Sequence, residues 1–165
     1  MEKTLTEKIA RARQLLGYAK HAAMATVNVD GSPHNTPFLF MHDDALQHIF
    51  WGSHPASEHS KNALRTGQIF VVLYDAGARG GLYMKAVNAH VVRGAELEEV
   101  LTVRNKLRTD AGQSALPASY YSSDGPQRLW SADVTQLWVN GSRRDANGNI
   151  VQDIRTEVTA ADLLE

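Results

Sequence analysis

The stretch AAMATVNVDGSPHNTPFLFMHDDALQHIFW, residues 22–51, decides the fold of this chain. It holds three short runs rich in apolar and β-branched residues, which is the composition typical of β-strands. The first run ends at Asp30-Gly31, whose tolerance of positive φ favours a tight hairpin turn. The second run ends at Asp43-Asp44, and the third begins almost at once with Leu46. Links this short predict antiparallel pairing of the three strands.

Helical periodicity surrounds these strands. Apolar residues recur every three or four positions over 6–19 and over 96–111, which predicts one helix in each range. Between them, the period changes after the third strand. We therefore predict a short helix that has Ser53 or Ser57 as its N-cap and ends near Gly67.

Further strands and two irregular segments complete the pattern. Runs of apolar and β-branched residues predict strands at 69–74, 82–92, 135–139 and 150–158, and one closing turn of helix is expected at 159–164. A loop is expected at 76–81. An irregular arm is expected at 117–130, where turn-forming proline, glycine and aspartate residues cluster.

Six to seven strands in mainly hairpin order, interspersed with helices, predict a mainly β protein with helical additions, of the α+β class. The best fit is a small antiparallel barrel, because a doubly wound parallel sheet needs regular alternation of strand and helix. The chain is expected to form one domain over 1–165. Within it, an N-terminal helix (1–20) precedes a barrel core (21–93), a helix with an irregular arm (94–134) and C-terminal strands (135–165).

Charge and cysteine content narrow the class of partner. The 17 basic and 18 acidic residues give a net charge of -1 without a basic face, so nucleic acid is not an expected partner. The chain has no cysteine, which excludes disulfides, thiolate metal ligands and a cysteine nucleophile, and fits a reducing compartment. The charged start and the lack of a run of about 18 apolar residues predict a cytoplasmic protein with no membrane partner.

Motifs for several common chemistries are missing from the sequence. Gly77, Gly80 and Gly81 have neither the spacing of the dinucleotide fingerprint nor that of the P-loop. The seven histidines include no i, i+4 pair of the kind that binds a metal on a helix, so no metal site is expected. No serine stands in a nucleophile elbow.

One segment combines donors that suit a phosphate. From Ser53 to Asn62, hydroxyl groups, a histidine, a lysine and an asparagine gather where a strand gives way to a helix. A helix N-terminus presents unpaired N–H groups and a partial positive charge, which favour a phosphate. Ordinary capping of a surface helix, with His59 and Lys61 in solvent, explains the same residues equally well. Spacing alone leaves both interpretations open.

Five short motifs follow one another along the chain. They are ATV with DGSPH, NTPF, FWGS, SEHSKN and GLYMK, at residues 25–27 with 30–34, 35–38, 50–53, 57–62 and 81–85. In this order they resemble the pyridoxamine 5'-phosphate oxidase-like, FMN-binding split-barrel family. The resemblance covers about residues 8–93 and, more loosely, 137–155.

The resemblance implies an antiparallel split β-barrel that forms a homodimer and holds FMN at the seam between the subunits. The second strand would lie along the flavin ring, and the end of the third strand with the following turn would meet the ring edge and the ribityl phosphate. The implied cofactor-binding residues are Asn35, Thr36, Pro37 and Phe38 on the second strand, and Trp51, Gly52, Ser53, Ser57, His59, Lys61 and Asn62 beyond it.

His59 stands where many relatives of this family place a lysine for the phosphate. A partly protonated imidazole would donate to the phosphate more weakly, with a pH dependence near neutrality. Late in the chain, the resemblance implies that the partner subunit contributes an aromatic and a basic residue, matched here by Trp138 and Arg144. Trp138 is equally consistent with an ordinary core or interface aromatic. The aromatic-rich segment 120–138 independently suggests dimerisation through exposed apolar surface.

Two departures from the family bear on the substrate. Its vitamin B6 oxidases carry an arginine and a lysine on the second strand where this chain has Thr36 and Met41, so vitamin B6 oxidation is not expected. The resemblance implies an FMN-dependent oxidoreductase, in which NAD(P)H or another donor reduces the flavin and a small molecule accepts the electrons. A non-catalytic flavin-binding or stress-related protein, and a haem or F420 binder on the same barrel, are the alternatives.

Overall fold

A computed structural model describes residues 4–75 and 80–164 of the chain. In these ranges an eight-stranded antiparallel sheet curls into a half-barrel, and four α-helices accompany it. The predicted mainly β fold with helical additions is confirmed. No helix of the described ranges is both long and apolar enough to cross a membrane.

Helices divide the strands of the described ranges into groups of four, two and two. The helices are α1 (Leu5–Tyr18), α2 (Glu58–Thr66), α3 (Gly94–Asp110) and α4 (Ala160–Leu164), with a short 3-10 helix at Ala118–Tyr121. The strands are β1 (His21–Val27), β2 (Pro33–Leu39), β3 (Met41–His42), β4 (His48–Ser53), β5 (Ile69–Asp75), β6 (Gly80–Val91), β7 (Arg128–Arg144) and β8 (Ile150–Val158).

The sheet order leaves a gap in the wall of the half-barrel. The strands lie in the order β2-β1-β5-β6-β7-β4-β3, and β8 pairs with the second half of β7. β2 is therefore at one end of the sheet, and β4 with β3 at the other. Because the sheet curls, β2 and β4 come into contact across this gap, which we call the split.

Local signals explain the ends of the elements. The turn between β1 and β2 has Gly31 at φ 84, and the Asp30 carboxylate accepts from the Ser32 backbone N–H at 2.9 Å. This confirms the hairpin predicted from Asp30-Gly31. Helix α2 begins after Ser57 and ends at Gly67, whose φ of 66 lies in the left-handed region that favours glycine. Both boundaries agree with the prediction from the sequence.

Strand β4 lies between two hydrophobic clusters. Trp51 faces the interior of the half-barrel, where its ring stacks on that of Trp130 at 5.8 Å between centroids. Phe50 faces the other way, into a second cluster beneath α3 that includes Val100 and Tyr121. The sheet is therefore covered on both faces at this strand, and the strand is buried on both sides.

The structure corrects three predictions along the chain. The arm expected to be irregular over 117–130, and grouped outside the strands as far as 134, is a strand from Arg128 onward. Met41 and His42 form a strand of their own, which makes eight strands where six or seven were expected. Of the loop predicted at 76–81, residues 76–79 lie outside the described residues, and the rest already belongs to β6.

Candidate functional site

The N-terminal end of α2 lies at the split, because α2 packs against β1, β2 and β6. His59, in the first turn of this helix, contacts both strands that border the gap. It bonds to Ser53, the last residue of β4, and its ring stacks on that of His34 in β2. The split is therefore the place where side chains from the sheet edges and the helix converge.

A hydroxyl–imidazole network forms the centre of the site. Ser53 Oγ lies 2.7 Å from His59 Nε2, and the Ser60 hydroxyl donates to Ser53 Oγ at 3.0 Å. Ser53 and Ser60 are both buried, whereas His59 is only half-buried. The network thus joins the interior of the half-barrel to its surface. We refer to Ser53, His59, Ser60 and His34 as the split cluster.

The two imidazoles of the split cluster interact directly. The ring centroids of His34 and His59 are 6.4 Å apart, and the ring planes differ by 17°. Burial lowers the pKa of His59 below its usual 6.5, and the charge of His34 lowers this pKa further. His59 is therefore mainly neutral at pH 7, and Ser53 is positioned to donate its hydroxyl proton to His59 Nε2.

Asn62 has a structural role beside the split cluster. Its side chain is 1% exposed, and its Nδ2 donates to Thr26 Oγ1 at 3.2 Å and to Asn28 Oδ1 at 2.8 Å. Arg65, on the same helix, donates to the Val27 carbonyl. These bonds tie α2 to the end of β1 and engage both amide hydrogens of Asn62, so this predicted cofactor residue has no free donor to offer.

Two other predicted cofactor residues lie in the core. Trp51 is 0% exposed and stacked on Trp130, and Phe38 is 7% exposed with its ring edge-on to Phe40. The residues that precede Phe38 on β2 alternate between the two faces of the sheet. Thr36 is half-buried on the inner face, whereas Asn35 and Pro37 are exposed on the outer one. The structure therefore does not bring the NTPF motif onto a single surface.

The remaining predicted residues of this region surround the split cluster without joining it. Ser57 is the N-cap of α2, but its side chain makes no capping hydrogen bond. Lys61 is exposed and lies 3.7 Å from the carboxylate of Glu58. Gly52 faces the second cluster, since a Cβ there would lie 3.8 Å from Leu129.

Trp138 and Arg144, the residues expected to serve a partner subunit, lie apart in the structure. Trp138 is half-buried on the outer face of the sheet, 6.0 Å from Phe70 between ring centroids. Arg144 is exposed at the far end of β7, where it donates to the Gly148 carbonyl at 2.6 Å. The structure therefore does not bring Trp138 and Arg144 together.

The basic residue beside Trp138 is Arg155 of β8. Its guanidinium lies 4.2 Å from the ring centroid of Tyr83 and 5.3 Å from that of Phe70. We call Phe70, Tyr83, Trp138 and Arg155 the outer patch. Within 120–138, Tyr121, Leu129 and Trp130 are each at most 3% exposed, so the apolar surface expected there is limited to half-buried side chains such as Trp138. Of the four residues of the outer patch, the sequence singled out only Trp138.

Comparison with known proteins identifies the fold. No protein-family model matches the chain, and no curated protein matches it. Among solved structures, a protein from Clostridium acetobutylicum related to general stress protein 26, of the pyridoxinephosphate oxidase family, aligns over 94% of this chain and 97% of its own length, with a TM-score of 0.62 and 13% identity. This chain has the pyridoxamine 5'-phosphate oxidase-like split-barrel fold.

Other split barrels of similar structure bind haem. A haem-binding protein from Mycobacterium smegmatis aligns over 98% of this chain with a TM-score of 0.64 and 14% identity, and this chain spans 61% of its length. The haem storage protein HutZ of Vibrio cholerae aligns over 83% of this chain and 95% of its own, with a TM-score of 0.59 and 22% identity. At these levels of sequence identity, the similarity to the two proteins shows a shared fold only.

The split barrel here contains two site residues that the sequence did not single out. His34 was quoted only within the DGSPH motif, and Ser60 only within the SEHSKN motif and the segment from Ser53 to Asn62, yet both contact the network around Ser53 and His59. For His34 the available signal was alternation along β2, which puts it on the same face as Phe38, and for Ser60 it was the cluster of hydroxyl groups between Ser53 and Asn62. Within residues 4–75 and 80–164, no three histidine, aspartate or glutamate side chains group so as to hold a metal ion.

Proposed function

We propose that this split barrel is an FMN-binding flavoprotein whose split cluster holds the ribityl phosphate. The observation that carries the proposal is the network of Ser53, His59 and Ser60 at the first turn of α2. Hydroxyl and imidazole groups donate to phosphate oxygens, and the first N–H groups of a helix have no helical acceptor of their own. Because the Ser53 and Ser60 protons are engaged within the network, the donors that fit a phosphate monoester are the Nδ1–H of His59 and the first N–H groups of α2.

The charge of the site is low for a phosphate pocket. Lys61 is exposed and paired with Glu58, and the pKa of His59 is lowered by burial. The attraction would thus come from hydrogen bonds and the helix end, with His59 as the adjustable charge. Bound FMN would supply electron transfer between NAD(P)H or another donor and a small-molecule acceptor, with the protein binding and orienting it.

The proposal includes a homodimer formed through the outer face of the sheet. The outer patch combines three aromatic rings with the guanidinium of Arg155 on a sheet face that the described helices leave partly in solvent. A second copy of this chain is the occupant we propose, because paired sheet faces would bury these rings. In such a dimer Trp138 and Arg155 would serve the flavin of the partner subunit, in place of the predicted Trp138 and Arg144.

Titration of the protein with FMN, followed by flavin fluorescence, tests the site. His59→Ala should weaken FMN binding roughly ten- to a hundredfold, because a hydrogen bond to a charged group is lost. Lys61→Ala is the matched control on the same helix, and it should change the affinity by less than about twofold, since its side chain is exposed and paired. Equal losses in the two variants would contradict the position of the phosphate, and no FMN binding would contradict the function.

Haem binding is the second candidate, favoured by the half-buried His34 at the same split and by the two haem-associated structures of the same fold. A neutral histidine is a common axial ligand of haem iron. We therefore propose a titration with haemin in parallel with the FMN titration. A Soret band that shifts on binding in the wild type but not in His34→Ala, together with no FMN binding, would replace the flavin proposal.

A further inference from the structure

The split cluster contains two imidazoles that come from different elements and meet at its mouth. His34 lies on β2 and His59 on α2, with ring centroids 6.4 Å apart. Behind them, Ser53 and Ser60 are buried and joined by a hydrogen bond of 3.0 Å. The split cluster thus has its two imidazoles, His34 and His59, toward the surface and its two hydroxyls, Ser53 and Ser60, toward the interior.

The hydroxyl pair accommodates either protonation state of His59. Ser53 Oγ lies 2.7 Å from His59 Nε2 and 3.3 Å from the His54 carbonyl oxygen, while Ser60 donates to it. When His59 is neutral, Ser53 donates to Nε2. When His59 is protonated, its Nε2–H donates to Ser53 Oγ, and the Ser53 proton turns to the His54 carbonyl. No buried polar atom of the network loses its partner in the change.

Among the residues that the structure describes, His34 is the charged group that acts on the pKa of His59. On α2, Glu58 and Lys61 pair with each other at the surface, and Arg65 bonds to the end of β1. The remaining ionisable groups of the packed strands lie elsewhere. His21 is at the far end of β1, Tyr83 and Lys85 of β6 are on the outer face, and His90 of β6 bonds to Glu96. His54 precedes the helix and accepts from the Ala56 N–H.

We propose that binding of a phosphate monoester at the split is coupled to proton uptake by the His34–His59 pair. This inference rests on the proposed function, since it assigns the phosphate to the same cluster. Without an anion, burial and the charge of His34 hold the pKa of His59 below 6.5. A bound phosphate carrying about -1.5 to -2 charges would stabilise the protonated imidazole, outweigh both effects and raise this pKa. Protons are then taken up between the two pKa values, and affinity falls as pH rises through that window.

Calorimetry of FMN binding at pH 7, in two buffers with different ionisation enthalpies, measures the uptake directly. We expect about half to one proton taken up per FMN, and an affinity that falls up to about tenfold per pH unit above neutrality. Riboflavin, which lacks the phosphate, should bind without this uptake. His34→Gln should reduce the uptake and flatten the pH profile, whereas His48→Gln, whose ring bonds to Asp43, is the matched control and should change neither.

The outcomes separate this inference from the proposed function. FMN binding without proton uptake, uptake that is equal for riboflavin, or a pH profile unchanged by His34→Gln would each overturn the coupling and leave flavin binding standing. Absence of FMN binding at every pH would overturn both. The titration of His59 ring protons by NMR gives a second measurement, in which the midpoint should move to higher pH on addition of FMN.

Discussion

Asn62 connects α2 to the end of β1 through a buried amide. Its Nδ2 donates to Thr26 and Asn28, and Thr26 is itself only 5% exposed. Replacement by alanine leaves these acceptors without their donor inside the protein, which costs about 1–3 kcal/mol. We therefore expect Asn62→Ala to lower the free energy of unfolding by this amount, as measured by urea denaturation.

A control variant separates this structural role from a role in binding. Asn147→Ala, at an exposed turn between β7 and β8, should change the free energy of unfolding by less than about 0.5 kcal/mol. FMN affinity of the folded Asn62→Ala protein should stay within a few-fold of the wild type. A variant with normal stability and lost FMN binding would instead place Asn62 on the cofactor, as the family resemblance implied.

At single positions the sequence pointed to the region of the candidate site, and the structure shows which side chains of that region contact one another. Ser53 and His59 were found because hydroxyls and imidazoles cluster at a strand-to-helix junction, a signal that depends on local spacing. Trp51 was assigned to the cofactor through the family resemblance of the FWGS motif, and it lies in a continuous apolar run at 49–51. A strand covered on both faces shows no alternation, so its sequence does not reveal which side chains face the core.

The end of β6 and the start of α3 are joined by the ion pair of His90 with Glu96. His90 Nε2 lies 3.0 Å from the Glu96 carboxylate, and Nδ1 lies 2.7 Å from the Asn88 carbonyl. Burial lowers the pKa of His90, but the hydrogen bonds and the carboxylate outweigh it and raise this pKa above 6.5. Since the folded-state pKa is the higher one, the pair stabilises the fold fully below pH 6.5 and loses this effect as pH rises through the raised pKa.

Glu96→Gln tests this junction. The titration midpoint of His90, followed by NMR, should fall in the variant because the carboxylate charge is removed. The stability difference between wild type and variant should be larger at pH 6 than at pH 9. Glu98→Gln, two residues along α3 and exposed, is the control and should leave the midpoint unchanged. The same midpoint in the Glu96→Gln protein would contradict the pairing.

Elements with local signals were predicted well, and those defined by distant contacts were not. Helix α2 and the β1–β2 hairpin have caps and turn residues at their ends, such as Gly67 and Asp30-Gly31. The start of β7 at Arg128 follows the turn-forming residues 124–126 with almost no interval, and residues 129–132 are all buried. Pairing with β4 and β6 makes this segment a strand, and such pairing is not visible in a single sequence.

For the whole molecule, a substitution on the inner face of β7 should affect folding, whereas one on its outer face should affect association of two chains. Trp130 is 1% exposed within the half-barrel, so Trp130→Ala should cost about 3–5 kcal/mol of folding free energy. Trp138 belongs to the outer patch and is only half-buried. Its replacement removes apolar surface from the outside of the sheet, which matters little to a single folded chain but much to a pair that meets at this face.

Sedimentation velocity at micromolar concentration therefore distinguishes the two faces of the sheet. The wild type should sediment as a dimer, and Trp138→Ala should shift it toward the monomer with little loss of secondary structure by circular dichroism. Leu164→Ala removes an exposed apolar side chain from α4 and should leave the dimer intact. If the dimer depends on the outer patch, Trp138→Ala should also weaken FMN binding, because the flavin of each subunit loses the ring that its partner supplies. A monomeric wild type that binds FMN normally would confine the site to the split of one chain.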